Sequence, residues 1–264
     1  MDRRGWMLKE KMKGNCSMSI AGIDSSGGAG ITADCRTFNA HNIYATCVVT
    51  AITAQNPYEV TNIQETDIDV IADQIDAILD VYPIEYIKTG MLYSKDIVKL
   101  VSDKIKEYQL KAVVDPVMIS ESGKNLTRSN FATYINKYLI KNSYLITPNI
   151  HEAEQLSNIQ IDNEDTAKEV ALKLSKHTNV VITGGHLKGN DILVEGDNLH
   201  IIGGNLIDSD NTHGTGCTYS SAVTSNLIKG YDIHDSCLKA NEFIQKAIKN
   251  GFNKTPYQFF NLKE

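Results

Sequence analysis

The stretch IDVIADQIDAILDVYPIEYIK (residues 68–88) holds a helix pattern followed by a strand pattern, and this order decides the fold class. Its first part carries apolar residues three and four positions apart, which predicts an amphipathic helix: Ile68, Ile71, Ile75, Ile78 and Leu79. Its last part predicts a strand over residues 84–88. A helix that leads into a strand is the repeating element of an α/β protein.

The same alternation extends to both ends of the chain. Further strands are expected at residues 16–20, 45–53, 60–64, 111–114, 144–147, 180–183, 192–195 and 199–202. Further helices are expected at residues 31–40, 96–108, 129–140, 152–156, 165–176, 217–228 and 233–250. Alternating strands and helices form βαβ units, so we predict one α/β domain over residues 16–264, with a central, mostly parallel sheet flanked by helices on both faces. Such sheets bind ligands at the carboxyl ends of their strands.

The composition indicates a soluble globular protein and argues against nucleic acid as a partner. The chain has 264 residues and a formal net charge of −6, so a large basic surface is absent. The five cysteines are scattered without a C-x-x-C pair, which disfavours a zinc cage or a disulfide framework and fits reduced thiols in a cytoplasm. Residues 1–15 are expected to be a flexible basic start, and no run is long and apolar enough to span a membrane.

Two glycine-rich turns lie far apart in the sequence. The first is GIDSSGGAG (residues 22–30), between a predicted strand and a predicted helix, and the second is NTHGTGCT (residues 211–218), which opens a helix. Neither matches the P-loop or the dinucleotide-binding fingerprint. In the second turn, Gly214 and Gly216 allow close approach of the backbone, and the helix N-terminus favours an anion such as phosphate. An ordinary glycine-containing loop before a helix is the alternative.

Cys217 lies at the expected start of that helix, where the helix dipole should lower the pKa of its thiol. A small buried residue that fills space is the alternative interpretation. Gln55, at the end of a predicted strand, carries an amide with both a donor and an acceptor, which suits the edge of a heteroaromatic ring. A surface glutamine at a strand end is equally compatible with the pattern.

Three polar side chains follow predicted strands and are candidates for a metal and phosphate site. Asn149 and Glu152 are three residues apart, so both lie near one helix N-terminus, where they would hold the water shell of Mg²⁺ beside phosphates. The same spacing describes a variant of the capping box. Asp115 also closes a strand, and its carboxylate would either help to hold the metal or cap a turn.

Taken in order along the chain, these segments closely resemble the hydroxymethylpyrimidine kinase/phosphomethylpyrimidine kinase family of thiamine biosynthesis, within the ribokinase superfamily. The segments are DSSGGAG (24–30), TAQN (53–56), KTGM (88–91), DPVM (115–118), TPNIHE (147–152) and NTHGTGCT (211–218). The resemblance implies a ribokinase-like fold, a homodimer and two successive phosphoryl transfers from MgATP. The first acceptor is 4-amino-5-hydroxymethyl-2-methylpyrimidine, and the second is its monophosphate.

The resemblance also implies roles for individual residues. The pyrimidine pocket would consist of Gly22, Asp24, Ala29, Thr53, Gln55, Met91 and Val117. Gln55 would bind the aminopyrimidine edge, and the turn of Gly214, Thr215, Gly216 and Cys217 would stabilise the transferring phosphoryl group. Asn149 and Glu152 would organise Mg²⁺ and the ATP phosphates, with Asp115 as a second metal ligand. A Cys217 thiolate would assist the first transfer more than the second, because the second acceptor is already anionic.

One segment departs from the family pattern. Many members have K-G-G-H where this chain has TGGH (residues 183–186), so Thr183 and Gly185 would contact the nucleotide without the usual lysine. The Thr-Gly-Gly sequence is also similar to related pyridoxal kinases. A pyridoxal or pyridoxine kinase of vitamin B6 salvage is therefore an alternative, although Gln55 favours the pyrimidine. A non-catalytic sensor that binds the pyrimidine is a second alternative, which the intact anion turn disfavours.

Overall fold

The computed structural model describes residues 15–119, 123, 126–127, 130–184 and 189–259. Within these ranges, no helix is long and apolar enough to cross a membrane. The expectation of a flexible start concerns residues 1–15, of which residues 1–14 lie outside the described ranges, as does the predicted nucleotide contact Gly185.

One nine-stranded sheet runs through the molecule, in the order β3-β2-β1-β4-β5-β6-β7-β8-β9. The strands are β1 (Cys16–Asp24), β2 (Tyr44–Gln55), β3 (Val60–Glu65), β4 (Tyr86–Thr89), β5 (Lys111–Val114), β6 (Leu145–Ile146), β7 (Asn179–Ile182), β8 (Asp191–Glu195) and β9 (Asn198–Ile202). Neighbours from β2 to β7 pair in parallel, whereas β3, β8 and β9 are antiparallel. The predicted mostly parallel sheet is therefore confirmed, with β3 at one edge.

Eight α-helices connect the strands within the described ranges. They are α1 (Gly30–Ala40), α2 (Ile68–Leu79), α3 (Lys95–Glu107), α4 (Phe131–Tyr134), α5 (Ile150–Ser157), α6 (Glu164–Leu174), α7 (Thr215–Ile228) and α8 (Ile233–Lys249). Alternate residues of the central strands are buried on opposite faces of the sheet. Ala112 and Val114 pack in a core with α2, α3, α5 and α6, whereas Val113 packs with α7 and α8. Burial on both faces explains why these strands are apolar throughout.

Two elements differ from the prediction for physical reasons. The strand predicted at residues 16–20 continues to Asp24, because a bulge between Ala21 and Ile23 lets Asp24 pair with Thr53. The single helix predicted over residues 129–140 is irregular where it is described. It passes from α4 into a π-helical turn (Ile135–Leu139) and a 3₁₀ turn (Ile140–Asn142). There, the side chains of Ser102 and Asn142 donate to the Tyr138 carbonyl and so compete for a helical acceptor.

A buried histidine at the end of α1 gives the fold a testable pH dependence. His41 is 4% exposed, its Nδ1 lies 2.9 Å from the Thr37 carbonyl oxygen, and its ring packs against Phe243. Burial lowers the pKa of His41 to about 4, an effect that the Thr37 carbonyl opposes and Lys229 increases. Between pH 4 and the usual histidine pKa of about 6.5, the unfolded chain therefore binds more protons at this position than the folded one.

We expect the free energy of unfolding to fall as the pH decreases through this window, by up to about 3 kcal/mol from His41. Urea unfolding at pH 7, 6, 5 and 4 measures the loss. A His41→Gln variant should lose less stability over the same range, whereas His177→Gln, at an exposed position, should follow the parent protein. An equal pH slope for His41→Gln and the parent would contradict the assignment.

Candidate active site

The two glycine-rich turns meet at the carboxyl end of β1. Gly214, directly before α7, has a φ of +88°, and a Cβ built on it would lie 2.0 Å from the Gly28 carbonyl oxygen. Gly28 is just as confined, since a Cβ there would lie 2.4 Å from the His213 ring. Only glycine allows the two backbones to approach this closely. This contact between the turns was not predicted from the sequence.

A buried hydrogen-bonded pair joins the same two turns. His213 Nε2 lies 2.8 Å from Asp24 Oδ2, and both side chains are almost fully buried. Asp24 also accepts hydrogen bonds from the backbone N–H groups of Ser26 (2.8 Å) and Ala29 (2.9 Å). Burial by itself raises the pKa of Asp24, but the hydrogen bonds from His213, Ser26 and Ala29 outweigh it and hold the pKa below its usual range. Asp24 therefore carries a negative charge that orders the first turn and fixes His213 beside Gly214.

A pocket opens where the turns meet the ends of β2 and β4. It is lined by Gly22, Ile23, Asp24, Ala29, Gly30, Thr53, Gln55, Met91, Val117, Leu126 and Cys217. The seven residues predicted to form the pyrimidine pocket thus lie together, with Cys217 at the same pocket. The prediction missed Ile23, Gly30 and Leu126. Gly30 belongs to the quoted first turn, so the glycine itself was a usable signal. The structure shows why glycine is needed there: its φ is +59°, and an added Cβ would lie too close to the Gly22 carbonyl oxygen.

Gln55 ends β2 with its amide at this pocket. The Thr53 hydroxyl lies within hydrogen-bond distance of both Gln55 Oε1 (3.1 Å) and the Ile23 carbonyl oxygen (3.0 Å). The backbone of Gln55 is held by Ser25, whose hydroxyl donates to the Gln55 carbonyl oxygen (2.8 Å) and accepts from its N–H (2.9 Å). Gln55 thus lines the pocket with a side chain that carries an amide donor and an amide acceptor, and its role in binding a ring edge stays a prediction.

The N-terminus of α7 lies beside this pocket. The helix begins at Thr215 rather than at the predicted residue 217, and its first intrahelical backbone bond in this turn runs from Thr218 N to the Gly214 carbonyl oxygen, at 2.9 Å. The N–H groups of Gly216 and Cys217 therefore precede the regular hydrogen bonding of the helix. Together with the helix dipole, they form an environment that favours an anion.

The expectation of a lowered thiol pKa at Cys217 is wrong. Cys217 is 9% exposed, and burial raises the pKa of its thiol to about 12. The charges of Asp34 and Asp115 contribute to this value, whereas Lys88 and the Gly30 N–H lower the pKa without compensating. The position of Cys217 near a helix start could be predicted from the sequence. The burial that raises its thiol pKa could not, because the buried environment is formed by the surrounding fold. Cys217 is a protonated thiol at neutral pH in this structure.

The predicted metal and nucleotide residues lie at the ends of β5, β6 and β7. Asn149 caps α5: its Oδ1 accepts from Glu152 N (2.9 Å), and Glu152 Oε2 accepts from Asn149 N (3.0 Å). The capping box is therefore formed. Thr183 bridges to Asn149 in parallel register and donates its N–H to the Pro148 carbonyl oxygen (2.9 Å). Asn149, Glu152 and Thr183 are thus neighbours, although they come from different segments.

Glu152 and Asp115 place two carboxyl groups in the same buried region. Burial and, to a smaller extent, the charge of Asp115 raise the pKa of Glu152 to about 8, against hydrogen bonds from the Asn149 and Met118 N–H groups. Burial also raises the pKa of Asp115, against the attraction of Lys88 and a hydrogen bond from Ser220. An added Cβ on Gly216 would lie 3.8 Å from Asp115 Oδ2, so this carboxyl group faces the start of α7. A cation bound between the two carboxyl groups would stabilise both in the ionised form.

A fully buried lysine lies behind the turn and was not predicted as part of the site. Lys88 Nζ contacts Asp34 Oδ1 at 2.8 Å and Asp115 Oδ2 at 3.7 Å, and it is completely excluded from solvent. Ser221, on α7, donates to Asp34 Oδ1 at 2.8 Å. The lysine therefore connects β4, α1, β5 and α7. A lysine inside a predicted buried strand was a usable signal, since buried lysines are almost always paired.

The chain is similar to one known protein family and to individual members of that family. Residues 24–259 match the family model described as phosphomethylpyrimidine kinase. The chain is 37% identical to the hydroxymethylpyrimidine/phosphomethylpyrimidine kinase of Bacillus subtilis over 241 residues, 89% of each protein. It is 38% identical to a phosphomethylpyrimidine kinase structure from Clostridium difficile 630, with a TM-score of 0.79 over 89% of this chain and 99% of that one.

A second group of similar proteins is named for pyridoxal or pyridoxine. An ADP complex of Bacillus subtilis pyridoxal kinase has a TM-score of 0.83 and 37% identity, covering 91% of this chain and 93% of that chain. The chain also spans 49% of the length of the thiamine biosynthesis bifunctional protein of Geobacter sulfurreducens, with 38% identity. The matched relatives are thus kinases with two different small-molecule substrates.

Proposed function

Because the chain belongs to the phosphomethylpyrimidine kinase family, we propose that it transfers the γ-phosphoryl group of ATP to 4-amino-5-hydroxymethyl-2-methylpyrimidine and then to the resulting monophosphate. Residues 16–264 would form one kinase domain. The observation that carries the choice of substrate is the Gln55 amide at the wall of the pocket. An aminopyrimidine presents an exocyclic N–H donor next to a ring-nitrogen acceptor, and a primary amide offers the complementary pair.

In this proposal, the residues of the pocket hold the acceptor alcohol and the turn before α7 stabilises the phosphoryl group. The amides of Gly216 and Cys217 donate toward the charge that develops during transfer, which is the main form of catalysis in phosphoryl transfer. The Cys217 thiol is protonated, so it contributes a weak donor and a pocket wall rather than a base. Asp24 and His213 position the turn without contacting the transferred group.

Asp115 and Glu152 fit a magnesium site by their chemistry. Mg²⁺ in kinase sites is held by one or two carboxylates, water and the substrate phosphates, and two buried carboxyl groups whose pKa values are both raised by burial supply such a set. When bound, Mg²⁺ neutralises charge on the phosphates. Thr183, beside Asn149, would contribute a hydroxyl to the nucleotide where many family members have a lysine.

The proposal is tested by offering the purified protein MgATP with hydroxymethylpyrimidine or with pyridoxal in separate reactions. Formation of the pyrimidine monophosphate and diphosphate, with slower turnover of pyridoxal, is the expected result. Turnover of pyridoxal alone would move the function to vitamin B6 salvage. Binding of the pyrimidine without any product would instead favour a non-catalytic sensor.

Replacing Gln55 with methionine should change the substrate preference. The Gln55→Met variant keeps the volume of the side chain but removes the donor and acceptor, so kcat/KM for hydroxymethylpyrimidine should fall roughly 100-fold. Turnover of pyridoxal, which lacks the amino group, should fall less. Steady-state kinetics with both acceptors measure the ratio, and Gln64→Met, an exposed position on β3, is the matched control. Equal losses for both acceptors would remove Gln55 from substrate selection.

Pyridoxal kinase activity is the second candidate. It is favoured by the similarity to the Bacillus subtilis pyridoxal kinase and by Thr183 in place of the lysine. Homodimer formation and a cytoplasmic location also belong to the proposal, and light scattering coupled to gel filtration tests the first of these.

A further inference from the structure

The segment after α8 packs against both glycine-rich turns. It reverses direction at residues 252–255, where Phe252 and Thr255 exchange two backbone hydrogen bonds of 3.0 Å. Its Tyr257 N–H then donates to the Ala247 carbonyl oxygen of α8 at 2.8 Å. Residues 252–259, which we name the C-terminal brace, are thus anchored to the last helix and directed toward the pocket.

Gln258 is the central contact of the C-terminal brace. Its side chain is 1% exposed, and Nε2 donates to Thr218 Oγ1 at 2.9 Å and to the Gly28 carbonyl oxygen at 3.4 Å. Thr218 lies in the first turn of α7, and its hydroxyl donates in turn to the Gly214 carbonyl oxygen at 2.9 Å. One buried amide therefore links the first glycine-rich turn to the start of the anion-binding helix.

Two further connections attach the C-terminal brace to the same turns, one direct and one through Arg36. The Lys254 carbonyl oxygen accepts from His213 N at 2.8 Å, directly before Gly214. Arg36 donates from Nη1 to the Gly27 carbonyl oxygen at 2.6 Å, and its guanidinium lies 5.0 Å from the centre of the Phe259 ring. The C-terminal brace thus holds each turn through backbone carbonyl or N–H groups, independently of the Asp24–His213 pair.

We infer that the C-terminal brace is part of the active-site machinery and that Gln258 is a positioning residue for phosphoryl transfer. Gln258 does not line the pocket. Its effect on phosphoryl transfer therefore acts through the distance that it fixes between Gly28 and the N-terminus of α7. Donors aimed at a transition state lose much of their effect after displacements of about 1 Å. The inference deepens the proposed function and rests on it for its kinetic part alone.

The test replaces Gln258 with methionine in the full chain. We expect kcat for the pyrimidine to fall about tenfold while KM for the pyrimidine and for ATP changes less than about twofold, because ground-state contacts remain. Gln160→Met, an exposed glutamine that bonds Asp162, should leave both constants unchanged. In a double-mutant cycle, Thr218→Val and Gln258→Met should not be additive, since they break the same link. Additive losses, or a lower melting temperature with unchanged kcat, would overturn the inference.

Hydrogen exchange gives a second result that does not depend on activity. In Gln258→Met, peptides that cover residues 25–30 and 213–218 should exchange faster, whereas a peptide over residues 164–174 should not change. If both turns exchange faster in the variant but the parent protein shows no activity, the proposed reaction is wrong, while Gln258 still positions the two turns. Unchanged exchange in both turns would refute the positioning role, whatever the parent protein phosphorylates.

Discussion

A Gly214→Ala variant should lose activity by a factor of about 10²–10³, the loss seen when one preorganised transition-state donor is removed. The new Cβ would lie 2.0 Å from the Gly28 carbonyl oxygen and 3.1 Å from Ala29 Cα, both backbone atoms that cannot rotate away. The turn before α7 must therefore move away from the pocket. The φ of +88° adds a conformational penalty of about 1–2 kcal/mol for any residue with a Cβ. Steady-state kinetics and thermal unfolding measure the two effects separately.

Gly230→Ala is the matched control for this prediction. Gly230 has a φ of +90°, but an added Cβ would meet no described atom within 4 Å. It therefore carries the same backbone penalty without the clash between turns. We expect Gly230→Ala to lose some stability and to keep its activity. If both variants keep full activity, the close approach of the two turns is not needed for catalysis.

The order of the elements could be predicted from the sequence because it depends on local signals, whereas the members of the pocket were implied by the resemblance of short segments to a known family. The isoleucines from Ile68 to Ile78 repeat with helical spacing, and α2 occupies the predicted residues. Likewise, the pocket residues belong to short segments that close strands, and strands of a parallel sheet end at one edge. Once the fold class is known, the segments that follow neighbouring strands are therefore expected to lie close together.

The remaining features depend on contacts between distant residues and were not predictable in the same way. The extension of β1 to Asp24 arises from its register with Thr53 on β2. The raised pKa of the Cys217 thiol arises from burial and from carboxyl groups on α1 and β5, which outweigh the local effect of the helix N-terminus. The contact of Gln258 with Gly28 spans 230 positions of the chain. A local pattern contains none of this information.

Replacing Lys88 with methionine should destabilise the protein by about 3–5 kcal/mol, the cost of leaving a buried charge without its partner. Burial by itself lowers the pKa of Lys88, but the attraction of Asp34 and Asp115 outweighs it and raises the pKa above its usual range. The ammonium group is therefore charged, and its loss leaves the fully buried Asp34 with only hydroxyl donors from Ser19 and Ser221. Denaturant unfolding measures the free energy of the parent protein and the variant.

The partly exposed ion pair of Lys104 and Asp76 is the control, because it has the same charges as the Lys88–Asp34 pair but is not fully buried. Lys104 lies 2.6 Å from Asp76, but Asp76 is 40% exposed, so Lys104→Met should cost only about 0–1 kcal/mol. Adding Asp34→Asn to Lys88→Met should recover part of the lost stability, because the unpaired charge, rather than the missing contact, causes most of the loss. If Lys88→Met costs no more than Lys104→Met, the buried pair does not stabilise the fold. If the double variant is no more stable than Lys88→Met, Asp34 is not the group that Lys88 compensates.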